Sequence, residues 1–221
     1  MKTCIVAGGA GFIGSWLCKD LLKKGYRTIC VDNFITGNKT NVSRINDKNF
    51  LFVNHDITKP LKINEKIDFI FHLASPASPV HYQEHPIETL MVNSVGTLNL
   101  LMLAKKNNAK FLYASSSEVY GDPKEHPQKE TYWGNVNPNG PRSCYDEGKR
   151  FSEALICSTT GLDYRIIRIF NTYGPYMNKN DGRVFPNFIN QAIKNDPITI
   201  YGKGNQTRSC CYVIDMVDGL E

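Results

Sequence analysis

Seven residues near the N-terminus constrain the fold most. Gly8-Gly9-Ala10-Gly11-Phe12-Ile13-Gly14 separates the apolar run Thr3–Ala7 from Phe12–Lys24, whose apolar residues recur at helical spacing. A glycine loop between a strand and a helix lets backbone turn sharply and approach a diphosphate, whose charge then rests on the helix N-terminus. The next apolar run, Thr28–Val31, is closed by Asp32. A carboxylate there accepts hydrogen bonds from an adenosine ribose and repels a 2′-phosphate, which favours NAD over NADP. Asp56, after a third run, is open to two readings: a contact to the adenine edge, or a helix N-cap.

The remaining pattern is consistent with such a site. Runs Phe50–Asn54, Phe69–Leu73, Phe111–Ser115 and Tyr164–Ile169 read as strands. Pro86–Asn107 and Asp146–Thr159 have helical spacing. Strands that are apolar throughout and alternate with helices predict a doubly wound, Rossmann-type α/β fold: a parallel sheet with helices on both faces. Thr199–Gly202 and Cys211–Ile214 read as further strands, and Asp215–Glu221 as the opening of a helix. Residues 1–221 are thus expected to form one dinucleotide-binding domain, with 172–212 supplying part of a small, incomplete substrate lobe in a truncated chain. The segment Gly121–Arg142, rich in Pro, Gly, Asn and aromatics, is a functional loop by its length.

Composition removes several alternatives. A net charge of +5 without a Lys/Arg block argues against a nucleic-acid partner. No uninterrupted apolar run approaches bilayer length and no signal peptide precedes the glycine loop, so neither membrane association nor export is expected. A cytoplasmic address follows. The seven cysteines carry no zinc or CxxC spacing and read as free thiols, and no metal site is expected.

Tyr145-x-x-x-Lys149 places a phenol and an ammonium on one helix face. A tyrosine ordinarily titrates near ~10, and a neighbouring cation is expected to lower that value so that Tyr145 accepts a proton from a sugar hydroxyl. Ser115-Ser116-Ser117-Glu118 ends the fifth strand, where parallel sheets bind ligands. Glu118 is placed there either for a second proton transfer or as a structural acceptor.

Together, Gly8–Gly14, Asp32-Asn33-Phe34, His72-Leu73-Ala74, Asn93-Ser94-Val95-Gly96-Thr97, Ser117-Glu118-Val119-Tyr120-Gly121, Tyr145-x-x-x-Lys149 and Arg168-x-x-Asn171-x-Tyr173-Gly174-Pro175 resemble the extended short-chain dehydrogenase/reductase family. The stretches His72–Pro79, Tyr132–Pro138 with Gly140-Pro141-Arg142, Cys144–Arg150 and Asn180–Val184 resemble its UDP-glucuronate decarboxylase branch. The resemblance implies an NAD that is reduced and reoxidised within each turnover: C4 of the sugar is oxidised, CO2 leaves from the 4-keto sugar, C5 is protonated near Glu118, and C4 is reduced again. It assigns catalysis to Tyr145, Lys149, Glu118, Ser117 and Ser116. Dinucleotide contacts fall to Gly8, Gly11, Phe12, Ile13, Gly14, Asp32, Asn33, Thr36, Gly37, Asp56, Ile57, Leu73, Ser75, Tyr145, Lys149 and Thr172. Nucleotide-sugar contacts fall to Asn99, Asn171, Arg183 and Arg208, the last as a bidentate pyrophosphate ligand. It also implies a homodimer through a four-helix bundle of the two long helices. Three positions depart from the pattern: Ser116 replaces a usual threonine, Met91 a usual lysine of the substrate site, and Tyr176 a usual arginine. A nucleotide-sugar 4-epimerase, a 4,6-dehydratase and a non-catalytic dinucleotide binder remain as alternative readings.

Overall fold

The computed structural model describes residues 1–221. Six parallel strands form one sheet in the order β3-β2-β1-β4-β5-β6: β1 Thr3–Ala7, β2 Arg27–Asp32, β3 Phe50–Asn54, β4 Phe69–His72, β5 Lys110–Ser116 and β6 Tyr164–Ile169. The order reverses between β1 and β4, which opens a crevice at their C-terminal ends, where ligands of such sheets bind. The register Ala7↔Val31 and Ala7↔His72 sets the glycine loop beside Asp32 on one side and Leu73 on the other.

Alternation along β1 sorts its side chains into two cores. Ile5 and Ala7 pack with Leu100, Leu101, Ala104 and Ile156 from two long helices. Cys4 and Val6 face the opposite way, onto α1 (Phe12–Lys23) and the last helix, α8 (Val213–Leu220), through Leu17, Leu21, Val217 and Leu220. All seven cysteines are free thiols, and Cys4, Cys18 and Cys30 serve in this second core as small apolar groups.

Between α1 and the long helices lie two short ones, α2 (Lys39–Ser43) and α3 (Pro79–Glu84). Pro86–Asn107 then forms one continuous rod: α4 Pro86–Met91, a π-helical turn Val92–Gly96, and α5 Thr97–Asn107. Run length alone understated this element. It is 22 residues long and its most apolar 18-residue stretch has a mean hydropathy of 1.4, enough by length and composition to cross a bilayer, yet its inner face is sheet-facing core, with Thr89, Asn93, Thr97, Leu100 and Leu101 all buried. The widened π turn directs Asn93 inward. There its amide donates to Ser75 Oγ (2.9 Å) and Thr89 O (2.8 Å) and accepts from the Tyr113 hydroxyl (3.0 Å).

The second long helix, α6, covers Ser143–Cys157, starting three residues earlier than its spacing predicts. After β6 a two-stranded parallel sheet pairs β7 (Asn171–Tyr173) with β8 (Cys210–Tyr212), and α7 spans Val184–Lys194 between them. Two expectations fail in this part of the chain. Thr199–Gly202 forms no strand, because no neighbouring strand meets its backbone and Ile200 and Tyr201 face solvent. The Cys211–Ile214 strand is cut short by its three-residue partner, so helix α8 already begins at Val213.

Candidate active site

The crevice at the β1/β4 reversal contains a cavity of about 280 Å³. Its walls include Gly8, Gly11, Asp32, Asn33, Thr36, Gly37, Asp56, Ile57, Leu73 and Ser75, ten of the expected dinucleotide contacts. Ile35, His55, Thr58 and Pro76 also line it. They carry no sequence signal of their own and arrive there because their neighbours do.

The glycine loop fits a diphosphate by what it omits. A side chain on Gly8, which holds φ +81°, would sit 2.7 Å from the backbone of Leu73 and Ala74, and one on Gly14 would collide with the Gly8 carbonyl. The backbone N–H groups of Phe12, Ile13 and Gly14 have no acceptor within the chain and form the positive end of α1. Asp32 is buried, and its carboxylate accepts from Ala10 N (3.0 Å) and Phe34 N (2.8 Å), so it braces the loop as well as facing the cavity. Burial pushes its pKa above the usual carboxylate range, and the two backbone donors oppose that rise. Asp56 lines the cavity and accepts from Thr58 N at 2.9 Å, a bond that closes a turn; no helix follows it, so it is not a helix N-cap. These residues fit an NAD: backbone donors for the diphosphate, Asp32 for a ribose and Asp56-Ile57 for the adenine side.

The second cluster is built around Tyr145, 5% exposed in the first turn of α6. The Ser116 hydroxyl lies near enough to its phenol to oppose the effect of burial, and Ser116 Oγ accepts from Glu118 N at 3.2 Å. Ser117 Oγ donates to Glu118 Oε1 at 3.4 Å. These residues follow directly from the C-terminal end of β5, on a single 3-10 turn, Ser117–Tyr120. Lys149 is buried, donates to Ala114 O at 2.7 Å, and lies 5.7 Å from the Tyr145 ring. It does not lower the Tyr145 pKa as expected. Burial raises the phenol above its ordinary value, opposed by Ser116, Arg183 and Arg142. Burial also depresses Lys149 to about 7, so near neutrality it carries only part of a positive charge.

Three residues of this cluster were not anticipated as functional. Tyr82, from α3, lies parallel to Tyr145 at 5.1 Å between ring centroids and 9° between planes. Arg142 forms an ion pair with Glu118 and stands 3.9 Å from Asp146. Arg142 and Asp146 were within reach of sequence reasoning, since they sit three residues before and one after Tyr145 on the same helical turn. Tyr82 is not legible that way, because its stacking spans more than sixty positions and depends on how α3 docks.

The expected sugar ligands separate in space. Arg183 reaches the cluster: it influences Tyr145 electrostatically and is held in an ion pair by the buried Asp181. Asn171 is turned onto Ser209 O (3.0 Å), and Thr172 is buried beside it with an unpartnered hydroxyl. Asn99 does not face the sugar side; its amide donates to Ile57 O (2.9 Å), at the adenine end of the cavity. Arg208 is exposed and bonded only to the neighbouring Thr207 carbonyl, apart from the cluster. Met91, read from the resemblance as a loss at the substrate site, lines the dinucleotide cavity instead. Tyr176 has a local explanation: its ring lies 4.2 Å from the Lys19 ammonium, with Arg44 at 5.7 Å and Trp16 at 5.5 Å. The two cations hold its phenol below the usual tyrosine range, and an arginine in its place would meet both of them.

A doubly wound sheet with this glycine loop, Asp32 and the Tyr145/Lys149 pair narrows the family. The pattern of the NAD dependent epimerase/dehydratase family matches residues 4–221. The chain belongs to that family. It is 53% identical over 223 residues to the UDP-glucuronic acid decarboxylase 1 of Xenopus tropicalis, covering 99% of this chain and 52% of that protein. The chain spans about half the length of the first curated relatives it matches. Among solved structures, a UDP-N-acetylglucosamine 4-epimerase from Methanobrevibacter ruminantium M1 superimposes with a TM-score of 0.88 at 32% identity, covering 99% of this chain and 71% of that one. A UDP-glucuronic acid 4-epimerase from Bacillus cereus, solved with NAD, gives 0.81 at 29%, covering 98% and 72%. NAD is the cofactor of the family, and the cavity fits it.

Proposed function

We propose that the protein carries out NAD-dependent decarboxylation of UDP-glucuronate to UDP-xylose. The observation that carries the reading is Glu118 at the end of β5, ion-paired to Arg142 in the immediate surroundings of Tyr145. The 53% identity to a UDP-glucuronic acid decarboxylase supports the same substrate. When bound, NAD supplies a two-electron acceptor and donor for the sugar carbon. Everything else falls to the chain. Tyr145 takes the proton of the C4 hydroxyl, with the Ser116 hydroxyl beside the phenol favouring its ionised form. Oxidation at C4 leaves the carboxylate beta to a carbonyl, so CO2 departs with its electron pair left on C5. Glu118 is placed to return a proton to C5. Arg142 is the cation that touches Glu118 and is 47% exposed, so it also attracts an entering carboxylate.

Incubation with UDP-glucuronate and NAD is expected to give a UDP-pentose lighter by one CO2 in the mass spectrum. An isomer of unchanged mass would instead establish a 4-epimerase, the reading favoured by the solved neighbours, and binding without turnover would leave a dinucleotide binder.

The proposal extends to a homodimer. Leu90, Leu98 and Met102 along Pro86–Asn107, with Phe151 on α6, present large exposed apolar side chains on the two long helices. Pairing these faces across a two-fold axis makes a four-helix bundle. Sedimentation velocity is expected to give a dimer that Phe151→Glu shifts to monomer; a wild-type monomer would overturn the bundle. The free cysteines support a reducing, cytoplasmic compartment.

A further inference from the structure

Arg142 has two carboxylates within reach and is bonded to only one. It is ion-paired with Glu118, while Asp146, one turn along α6, stands with Oδ1 3.9 Å from the same guanidinium nitrogen. That gap exceeds a hydrogen bond by about 1 Å, a distance a flexible arginine closes by torsion. Asp146 Oδ1 is the partner left waiting: it is fully buried and has no hydrogen-bond donor, and the residue is 6% exposed. A charged carboxylate oxygen buried without a donor is held in an unfavourable state, and Arg142 is the cation near enough to relieve it.

We propose that Asp146 is a positioning residue that exchanges Arg142 with Glu118. As a carboxylate it draws the guanidinium off Glu118 and frees that residue; as a neutral acid it leaves Arg142 on Glu118. The groups facing Asp146 are Arg142, Tyr145, Cys144 and Glu147 on its own helix and Tyr82 on α3, whose buried hydroxyl is likewise unpartnered. Burial, reinforced by Glu147 and opposed by Arg142, raises Asp146 to about 6, so the exchange falls just below neutral pH. The catalytic consequence rests on the decarboxylase reading; the exchange itself does not.

The test is a pH titration of the full chain carrying 13C-labelled carboxyls, without substrate. The Glu118 signal is expected to show an inflection at the pH where Asp146 ionises, lost in Asp146→Asn and restored in Asp146→Glu. Arg142→Gln should remove the same inflection from Glu118 while leaving Asp146 titrating at a higher pH, which keeps the test available if Asp146→Asn folds poorly. A Glu118 curve identical in wild type and both variants overturns the exchange. With UDP-glucuronate turnover, Asp146→Asn should also erase the corresponding limb of the kcat/KM profile while NAD affinity stays unchanged. An inactive wild type would defeat the decarboxylase reading, with the titration still deciding the exchange.

Discussion

Tyr145→Phe is expected to lower UDP-glucuronate turnover by about 10³-fold or more while leaving NAD affinity within a factor of about three. The substitution removes one oxygen and keeps the ring, so the parallel contact with Tyr82 survives. Its cost to the fold is small, because the Ser116 hydroxyl still has Glu118 N as a partner. What disappears is the group proposed to accept the C4 proton. Tyr145 does not line the dinucleotide cavity, so calorimetric titration with NAD should report nearly the same affinity in both proteins. Burial holds the phenol above its ordinary pKa, so wild-type kcat/KM should climb with pH on the alkaline side, and the variant's residual rate should not. Full activity in Tyr145→Phe would remove Tyr145 from the mechanism.

The parts of this site that were legible are those in which the residue's local context already specifies its task. Gly8 is required by its positive φ and its closeness to the backbone of Leu73 and Ala74, and Gly14 by the Gly8 carbonyl. The strands Thr3–Ala7, Phe50–Asn54 and Tyr164–Ile169 are bounded as their apolar runs predict. Thr199–Gly202 carries the same alternation and forms no strand, because a strand needs a neighbour and its backbone finds none. Helix α7 has apolar residues Phe185, Phe188, Ile189 and Ile193 at helical spacing but follows a glycine- and asparagine-rich turn that masks its start.

Side-chain roles were harder to read than elements. Asn99 sits on a helix whose other face meets the sheet, and only the docking angle decides that its amide reaches Ile57 rather than the sugar. The sign of the Tyr145 pKa shift was misjudged for a related reason. Four-residue spacing places a cation nearby, but spacing says nothing of burial, and burial discharges the lysine that was to do the work.

That lysine gives the second large effect. Lys149→Met is expected to raise stability and lower turnover together. The ammonium is buried, and its pKa falls from 10.5 to about 7. Below pH 7 the folded chain must hold the charge in a poor solvent, at a cost on the order of 3–5 kcal/mol. Between 7 and 10.5 the unfolded chain binds the proton and the folded chain does not, so this cost shrinks as pH rises and is gone above the unfolded value. Methionine matches the stem but loses the donor to Ala114 O, which takes back about 1 kcal/mol. The remainder, about 2–4 kcal/mol, predicts a Tm higher by about 4–16 °C at pH 6.5, with the gain fading toward pH 10. Turnover should fall by about 10² or more, since the amine that donates to Ala114 O and lies 5.7 Å from the Tyr145 ring is lost from the wall behind the phenol. Thermal unfolding of both proteins across that pH range decides the matter: a variant less stable than wild type at pH 6.5, or a gain that grows with pH, would show that Lys149 stabilises the fold rather than straining it for catalysis.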